Sequence, residues 1–347
     1  MIQDRAAVGP EGSAPEPVPE EVQRPPGPAR YRWYVLVAVV VALLALPLFR
    51  PMISSYNYVL TLGALVLMWV AMSSSWNILG GFAGYISLGH SVFMGVGGYV
   101  AGVLLYYHGV SPFLTAPLGG LAAVALGFLA GFITLRTRGP AFIISTIALL
   151  FMFLLMTDNF EYLGGAAGLP LPSPPFSQEW LRVPFYYAML LIAMGAIWTA
   201  YRVAHSKFGM GLRAIAEDEV KAEVAGVPTR LYKISAFAIS AFWVGVAGAI
   251  YGYSIAFVRP TVFFTIAISA QMVLMAIIGG KGTVAGPVVG AVLIYAINEI
   301  SLVAFGATEF NIVIQGTMLV AVLLFFPLGV VGTLRKMNRL PAFLDWD

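Results

Sequence analysis

The chain has 347 residues, of which 60% are hydrophobic and only 10% charged, with a mean hydropathy of +0.87 and a net charge of +3. A soluble globular domain typically carries about 25% charged residues, so this balance excludes one and defines a polytopic integral membrane protein in contact with lipid. Cysteine is absent, which rules out disulfides and thiolate metal sites. His90, His108 and His205 are too scattered to form a metal constellation. The small positive charge points to no nucleic-acid partner, because basic residues in such a chain report orientation.

Residues 1–30 differ from everything after them. The run "VGPEGSAPEPVPEEVQRPPGPAR" is rich in Pro, Glu and Gly and holds too few large apolar side chains to offset its ordering entropy. It reads as a disordered tail, and its acidic, Pro-rich character is not that of a secretory leader. From there to residue 335 the chain reads as a transmembrane domain, and 336–347 as a short C-terminal tail.

A bilayer core of about 30 Å requires roughly 20 apolar residues per helix. Ten candidate crossings meet that measure: 34–50, 57–75, 84–107, 113–135, 140–157, 184–204, 233–257, 263–280, 283–304 and 311–332. The fold class is therefore all-α, with about ten transmembrane helices. With the N-terminus inside, 16 of the 19 Lys and Arg residues fall on the inner side, leaving Arg50, Arg182 and Arg259 outside. That imbalance places both termini and the charged segment 205–232 in the cytoplasm, and the loop 158–183 outside.

Two stretches are too rich in glycine for simple spans. "WNILGGFAGYISLGHSVFMGVGGYVAGV" (76–103) carries eight glycines together with Ser87, His90 and Ser91, and "IIGGKGTVAGPVVGAV" (277–292) is interrupted by Lys281 and Pro287. Such density marks either tight helix packing or broken helices whose backbone lines a cavity. Ile78-Leu79-Gly80-Gly81 and Ile277-Ile278-Gly279-Gly280 correspond, as a short internal repeat would.

The segment "GMGLRAIAEDEVKAEVAGVP" (209–228) is the one long charged stretch between spans. Arg213, Glu217 and Lys221 recur at i, i+4 and i+8, and Gly226 followed by Pro228 stops a helix. About thirteen residues at 1.5 Å each make a helix of roughly 20 Å, too polar to cross a bilayer. Such a helix either joins two spans as a solvated surface element or serves as a docking helix. Ala214, Ala216, Ala222, Ala225 and Gly226 favour docking, since small side chains let another surface approach the backbone.

Four collinear motifs carry a family resemblance: "GYISLGHSVFMGVGGYVAG", "LRTRGPAFIISTIALL" (135–150), "FGMGLRAIAEDEVKAEVAGVPTRLYKISAFAISAFWVGVAGAIYG" (208–252) and "GGKGTVAGPVVGA" (279–291). They resemble the bacterial branched-chain amino acid ABC transporter permeases of the LivM type over about residues 76–332, leaving the tail and the first two spans unmatched. The resemblance implies ABC importer permease architecture in the bacterial inner membrane. The chain would form half of a translocation path with a second homologous permease, two cytoplasmic ATPase subunits and an extracytoplasmic solute-binding protein. It further implies that Gly209, Leu212, Arg213, Ala214, Ile215, Glu217, Asp218, Glu219, Ala222, Glu223 and Gly226 belong to the segment that couples to the ATPase, with Tyr232 matching as well. Tyr85, Ser87, His90, Gly279, Gly280 and Gly282 are the candidates for the translocation path.

No residue is expected to be catalytic. The chain lacks a GxxxxGK[ST] phosphate-binding loop, so ATP would be bound by partner subunits and this chain would hold no cofactor or metal. Tyr85 stands where many family members have Gln, and Leu163–Gly168 reads "LGGAAG" in place of a more polar outward motif. These departures leave the solute open between branched-chain amino acids and amides, urea or other small polar molecules. His90 has a packing role and a path role open to it; Asn77, Gln271 and Asn298 read as interhelical hydrogen-bonding residues. The alternative from another class is a stand-alone secondary transporter or channel, which would need buried acidic residues; Glu299 is the one candidate.

Overall fold

The computed structural model describes residues 29–52, 56–177, 180–306 and 329–337, together with positions 313, 316–317, 341 and 344–346. Residues 1–28 of the expected tail and 318–328 of the last expected crossing lie outside the described residues.

Backbone polar groups find no water in a bilayer, so an apolar run of this length must satisfy them internally as helix. The helices are α1 (Ala29–Ala45), α2 (Tyr56–Asn77), α3 (Ser91–His108), α4 (Pro112–Thr134), α5 (Pro140–Asp158), α6 (Arg182–Ala204), α7 (Lys207–Glu217), α8 (Glu219–Val224), α9 (Thr229–Ser254), α10 (Pro260–Phe263), α11 (Ile266–Gly280), α12 (Ala285–Phe305) and α13 (Gly329–Lys336). Seven are long and apolar enough to cross a membrane among the described residues: α2 with its continuation to Phe82, α4, α5, α6, α9, α10 with α11, and α12. The shorter apolar run Tyr34–Phe49 and the glycine-rich α3 fall short of that measure, and most of the expected crossing 311–332 lies outside the described residues, so seven of the ten expected crossings are found among the described residues.

The centre of the bundle is α9, packed between α3 and α4 and touching α2 and α6. Small residues set these crossings. A Cβ added at Gly97 of α3 would lie 1.9 Å from the carbonyl oxygen of Gly245 in α9, so the two backbones touch. By contrast α5 and α12 expose most of their apolar surface, including Ile144, Leu155, Ile300 and Val303, and stand at the rim.

The broken-helix expectation holds, with a shift. α2 runs on into a widened helical turn over Ile78–Phe82, residues 84–87 and 89 are irregular, and α3 starts only at Ser91. The crossing expected from residue 84 therefore begins seven residues later.

At the end of α6 remote from the charged segment, residues of the α5–α6 loop form two single turns, Glu161–Leu163 and Gly165–Ala167. They lead into β1 (Leu169–Pro170), which pairs antiparallel with β2 (Phe257–Val258). Tyr107 stacks on Tyr162 with ring centroids 4.5 Å apart and donates to its carbonyl, pinning this loop. After α13, Asp345 returns to accept from Arg335 at 2.5 Å.

Candidate functional site

The charged segment is held against the bundle by α7. Ser206 caps α7 by accepting from the Gly209 amide at 3.1 Å. One face, comprising Gly209, Gly211, Leu212 and Ile215, is buried. Gly209 sits so close to α6 that an added Cβ would lie 2.0 Å from the Val203 carbonyl oxygen. Arg213 places its guanidinium 5.7 Å from the Phe82 ring centroid, and Ala216 abuts Gly84. Both contacts reach the broken segment after α2.

The single charged helix is in fact two. Asp218 adopts an extended conformation (φ −159°, ψ 108°), and its carboxylate accepts from the Val220 and Lys221 amides at 3.0 and 3.1 Å. A side chain that caps the next turn competes with helix continuation through its own residue. Those amide bonds, first the one from Lys221, hold the Asp218 carboxyl below the usual range. Lys221 pairs with Asp218 at 3.3 Å, so the alternating Arg213, Glu217, Lys221 face does not form.

The first residue of α8, Glu219, turns inward. Its Oε1 lies 2.7 Å from Lys233 Nζ on α9 and 3.3 Å from Arg138 Nη2 in the α4–α5 loop. Its Oε2 accepts from the Tyr85 hydroxyl. Lys233 also donates to the Tyr85 oxygen at 3.1 Å and stands 4.7 Å above its ring. The Lys233 and Glu219 side chains are only 4% and 12% exposed, while Arg138 is 57% exposed. Burial alone would raise the Glu219 carboxyl, but hydrogen bonds from Lys233 and Tyr85, with the charges of Lys233 and Arg138, hold it below the ordinary carboxylate range. Four chain segments meet at this ion-pair cluster: the irregular stretch after Phe82, the α4–α5 loop, the start of α8 and the second turn of α9.

The two glycine-rich stretches also meet. Asn77 donates to the Thr283 carbonyl at 2.9 Å and accepts from the Gly282 amide at 3.1 Å. The corresponding tetrapeptides therefore lie side by side. Gly279 and Gly280 end α11 in contact with α12 and α13, and burial lowers the Lys281 ammonium from its usual value. Ser87 is buried with its carbonyl accepting from the Trp76 ring N–H at 2.9 Å. His90 is fully buried, with Nε2 3.0 Å from the Ser240 hydroxyl and its ring against Phe93 and Phe237. Its surroundings are those of a packing residue. Of the expected path residues, Tyr85 instead joins the charged segment.

The expected coupling residues divide into two sets. Gly209, Leu212, Ile215 and Ala222 are buried against the chain's own bundle, with Ala214, Asp218 and Glu219 intermediate. Arg213, Glu217, Glu223 and Gly226 are exposed. Sequence reasoning passed over Val220 and Val224, which lie at i and i+4 on α8 and are 58% and 85% exposed. It also passed over Lys233 and Arg138, which it read only as orientation charges. A lysine in the first turn of an apolar span was a signal, since a cation there requires a partner.

The fold and this site define a multi-pass α-helical membrane protein whose long charged interhelical segment is clamped to broken, glycine-rich elements. Residues 55–323 match the family described as branched-chain amino acid transport system / permease component, and the chain belongs to that family. The match takes in α2, which the motif resemblance had left out. The permease protein LivM of the high-affinity branched-chain amino acid transport system of Escherichia coli (strain K12) is 27% identical over 87% of this chain and 76% of its own. The autoinducer 2 import system permease protein LsrC of Salmonella typhi is 27% identical over 60% of this chain and 62% of its own. BraD of Pseudomonas aeruginosa, a branched-chain amino acid permease protein, is 28% identical over 38% of this chain. No solved structure matches the chain.

Proposed function

We propose that the chain forms half of the membrane path of an ATP-driven importer in the bacterial inner membrane, carrying branched-chain amino acids or related small polar solutes. Its termini and the segment 205–232 face the cytoplasm, and the loop 158–183 faces the solute-binding protein. In this reading α1, α3 and the stretch 311–332 complete ten crossings. The rim helix α5 or α12 meets the second permease, and ATP is bound by the two ATPase subunits. The substrate class rests on the LivM relative, and the wider solute range on LsrC.

One observation carries the coupling role. On a charged segment outside the spans, Val220 and Val224 are exposed side by side, flanked by exposed Glu217, Lys221 and Glu223. An apolar pair that the bundle leaves uncovered, ringed by charge, has the make-up of an interface core with a polar rim. Glu299, on which a lone carrier would depend, is half-buried on α12 and accepts from the Tyr58 hydroxyl at 2.5 Å. Val224→Arg should leave the chain in the membrane with its melting midpoint unchanged while the ATPase subunits no longer co-purify. Undiminished co-purification with Val224→Arg and Val220→Arg refutes the docking assignment.

A further inference from the structure

We propose that the ion-pair cluster Glu219–Lys233–Tyr85, with Arg138 at its edge, is the linkage that passes movement of the docking helix α8 to the broken helix between α2 and α3. The proposal deepens the coupling role above and rests on it, but it concerns residues that face away from the docking surface.

Three features set this linkage. First, α7 and α8 are separate bodies. α7 is clamped to α6 through Gly209 and carries the buried Leu212 and Ile215, whereas α8 begins after the extended residue Asp218 and presents Val220 and Val224 outward. A partner pulling on α8 therefore pivots it at Asp218. Second, among the described residues of α8, Glu219 alone joins other segments of the chain through an ion pair or side-chain hydrogen bond. It belongs to α8 itself, so rotation of α8 reorients its carboxylate against Lys233 and Tyr85. Third, the receiving side is an irregular stretch. Tyr85 stands in the irregular run that follows the widened turn Ile78–Phe82, just before α3, and such turns recur at functional sites. Lys233 contacts both Glu219 and Tyr85, so neither can shift without the other.

Buried charge makes the cluster two-state rather than elastic. Lys233 has almost no solvent to turn to, so the cluster is either assembled or replaced by another paired arrangement. These are positioning residues: none needs to touch the solute or ATP.

The test uses the whole transporter, with both permeases, the ATPases and the binding protein, in proteoliposomes, comparing Tyr85→Phe and Glu219→Gln with the unaltered chain. Tyr85→Phe deletes one hydroxyl and keeps the ring, so it isolates the linkage from folding. In both variants the ATPase subunits should still co-purify, while leucine taken up per ATP hydrolysed falls about tenfold, within the range that residues between coupled sites contribute. Adding Tyr85→Phe to Glu219→Gln should lower the ratio no further, because the two act through one cluster. An unchanged ratio in both variants, or losses that multiply independently, overturns the linkage. Loss of the ATPase subunits from the Glu219→Gln complex assigns Glu219 to docking and overturns it as well. If the unaltered chain captures no ATPase, the importer reading itself is refuted.

Discussion

Removing the two halves of the Glu219–Lys233 pair one at a time should cost unequal amounts. At 2.7 Å and an effective dielectric of about 20, the attraction is on the order of 6 kcal/mol. Desolvating both ions cancels most of that, so the intact pair adds little net stability. Glu219→Gln strands the Lys233 ammonium, 4% exposed, with no carboxylate among its described contacts, and an unpaired buried charge costs about 3–5 kcal/mol. Lys233→Met leaves Glu219 with Arg138 at 3.3 Å and the Tyr85 hydroxyl, so the loss is nearer that of one charge-assisted hydrogen bond, about 1.5–3 kcal/mol. The double substitution removes both ions together and should be less destabilised than Glu219→Gln alone. Melting midpoints of the purified protein in detergent give the order: unaltered, then Lys233→Met, then the double variant close to it, then Glu219→Gln. Equal losses from the two single variants, or additivity within about 0.5 kcal/mol, refute the picture of a shared buried pair with Arg138 as reserve partner.

Two further outcomes follow from the same site. The Glu219 carboxyl is held below its ordinary value, so its stabilisation is complete above the unfolded pKa of about 4.3 and is lost only as pH falls through the lower folded value. The gap in melting midpoint between the unaltered chain and Glu219→Gln should therefore stay constant from pH 8 to 6 and close only in acid; a gap that changes across neutral pH refutes this sign. Gly209→Val forces side-chain atoms into the Val203 carbonyl, where even a Cβ would lie at 2.0 Å, an overpacking cost of about 1–3 kcal/mol. Amides of α7 should exchange faster while those of the α9 core stay protected, and unaltered exchange in α7 removes the clamp from the account.

The spans were legible because bilayer thickness writes itself into the chain as local runs of apolar residues, and α2, α4, α5, α6, α9, α11 and α12 all fall where those runs predict. Glycine density located the breaks at 78–90 and 280–284, though not their edges, since the α2 helix winds through Gly80 and Gly81 before it fails. The division of the charged segment was also within reach. Asp218 followed by Glu219 is an N-cap with an acidic first turn, but the i, i+4 charge spacing across it gave the stronger periodic signal and concealed the break. Which face α7 buries was not legible, because small and apolar residues at helical spacing look the same whether they pack on the chain's own bundle, as Gly209, Leu212 and Ile215 do, or on a partner.

The cluster at Glu219 was illegible for a different reason. Tyr85 and Glu219 are 134 positions apart, and Tyr85 and Lys233 are 148 apart, far beyond any local periodicity. Each residue had a separate explanation: a path residue, a coupling-segment acid and an orientation charge. Only the fold converts three unrelated polar residues into one buried unit. That unit also accounts for the departure at position 85. A tyrosine can donate its hydroxyl to a carboxylate while offering a ring face to an ammonium, and here it does both at once. Its place in the chain therefore follows from its fit between a lysine and a glutamate.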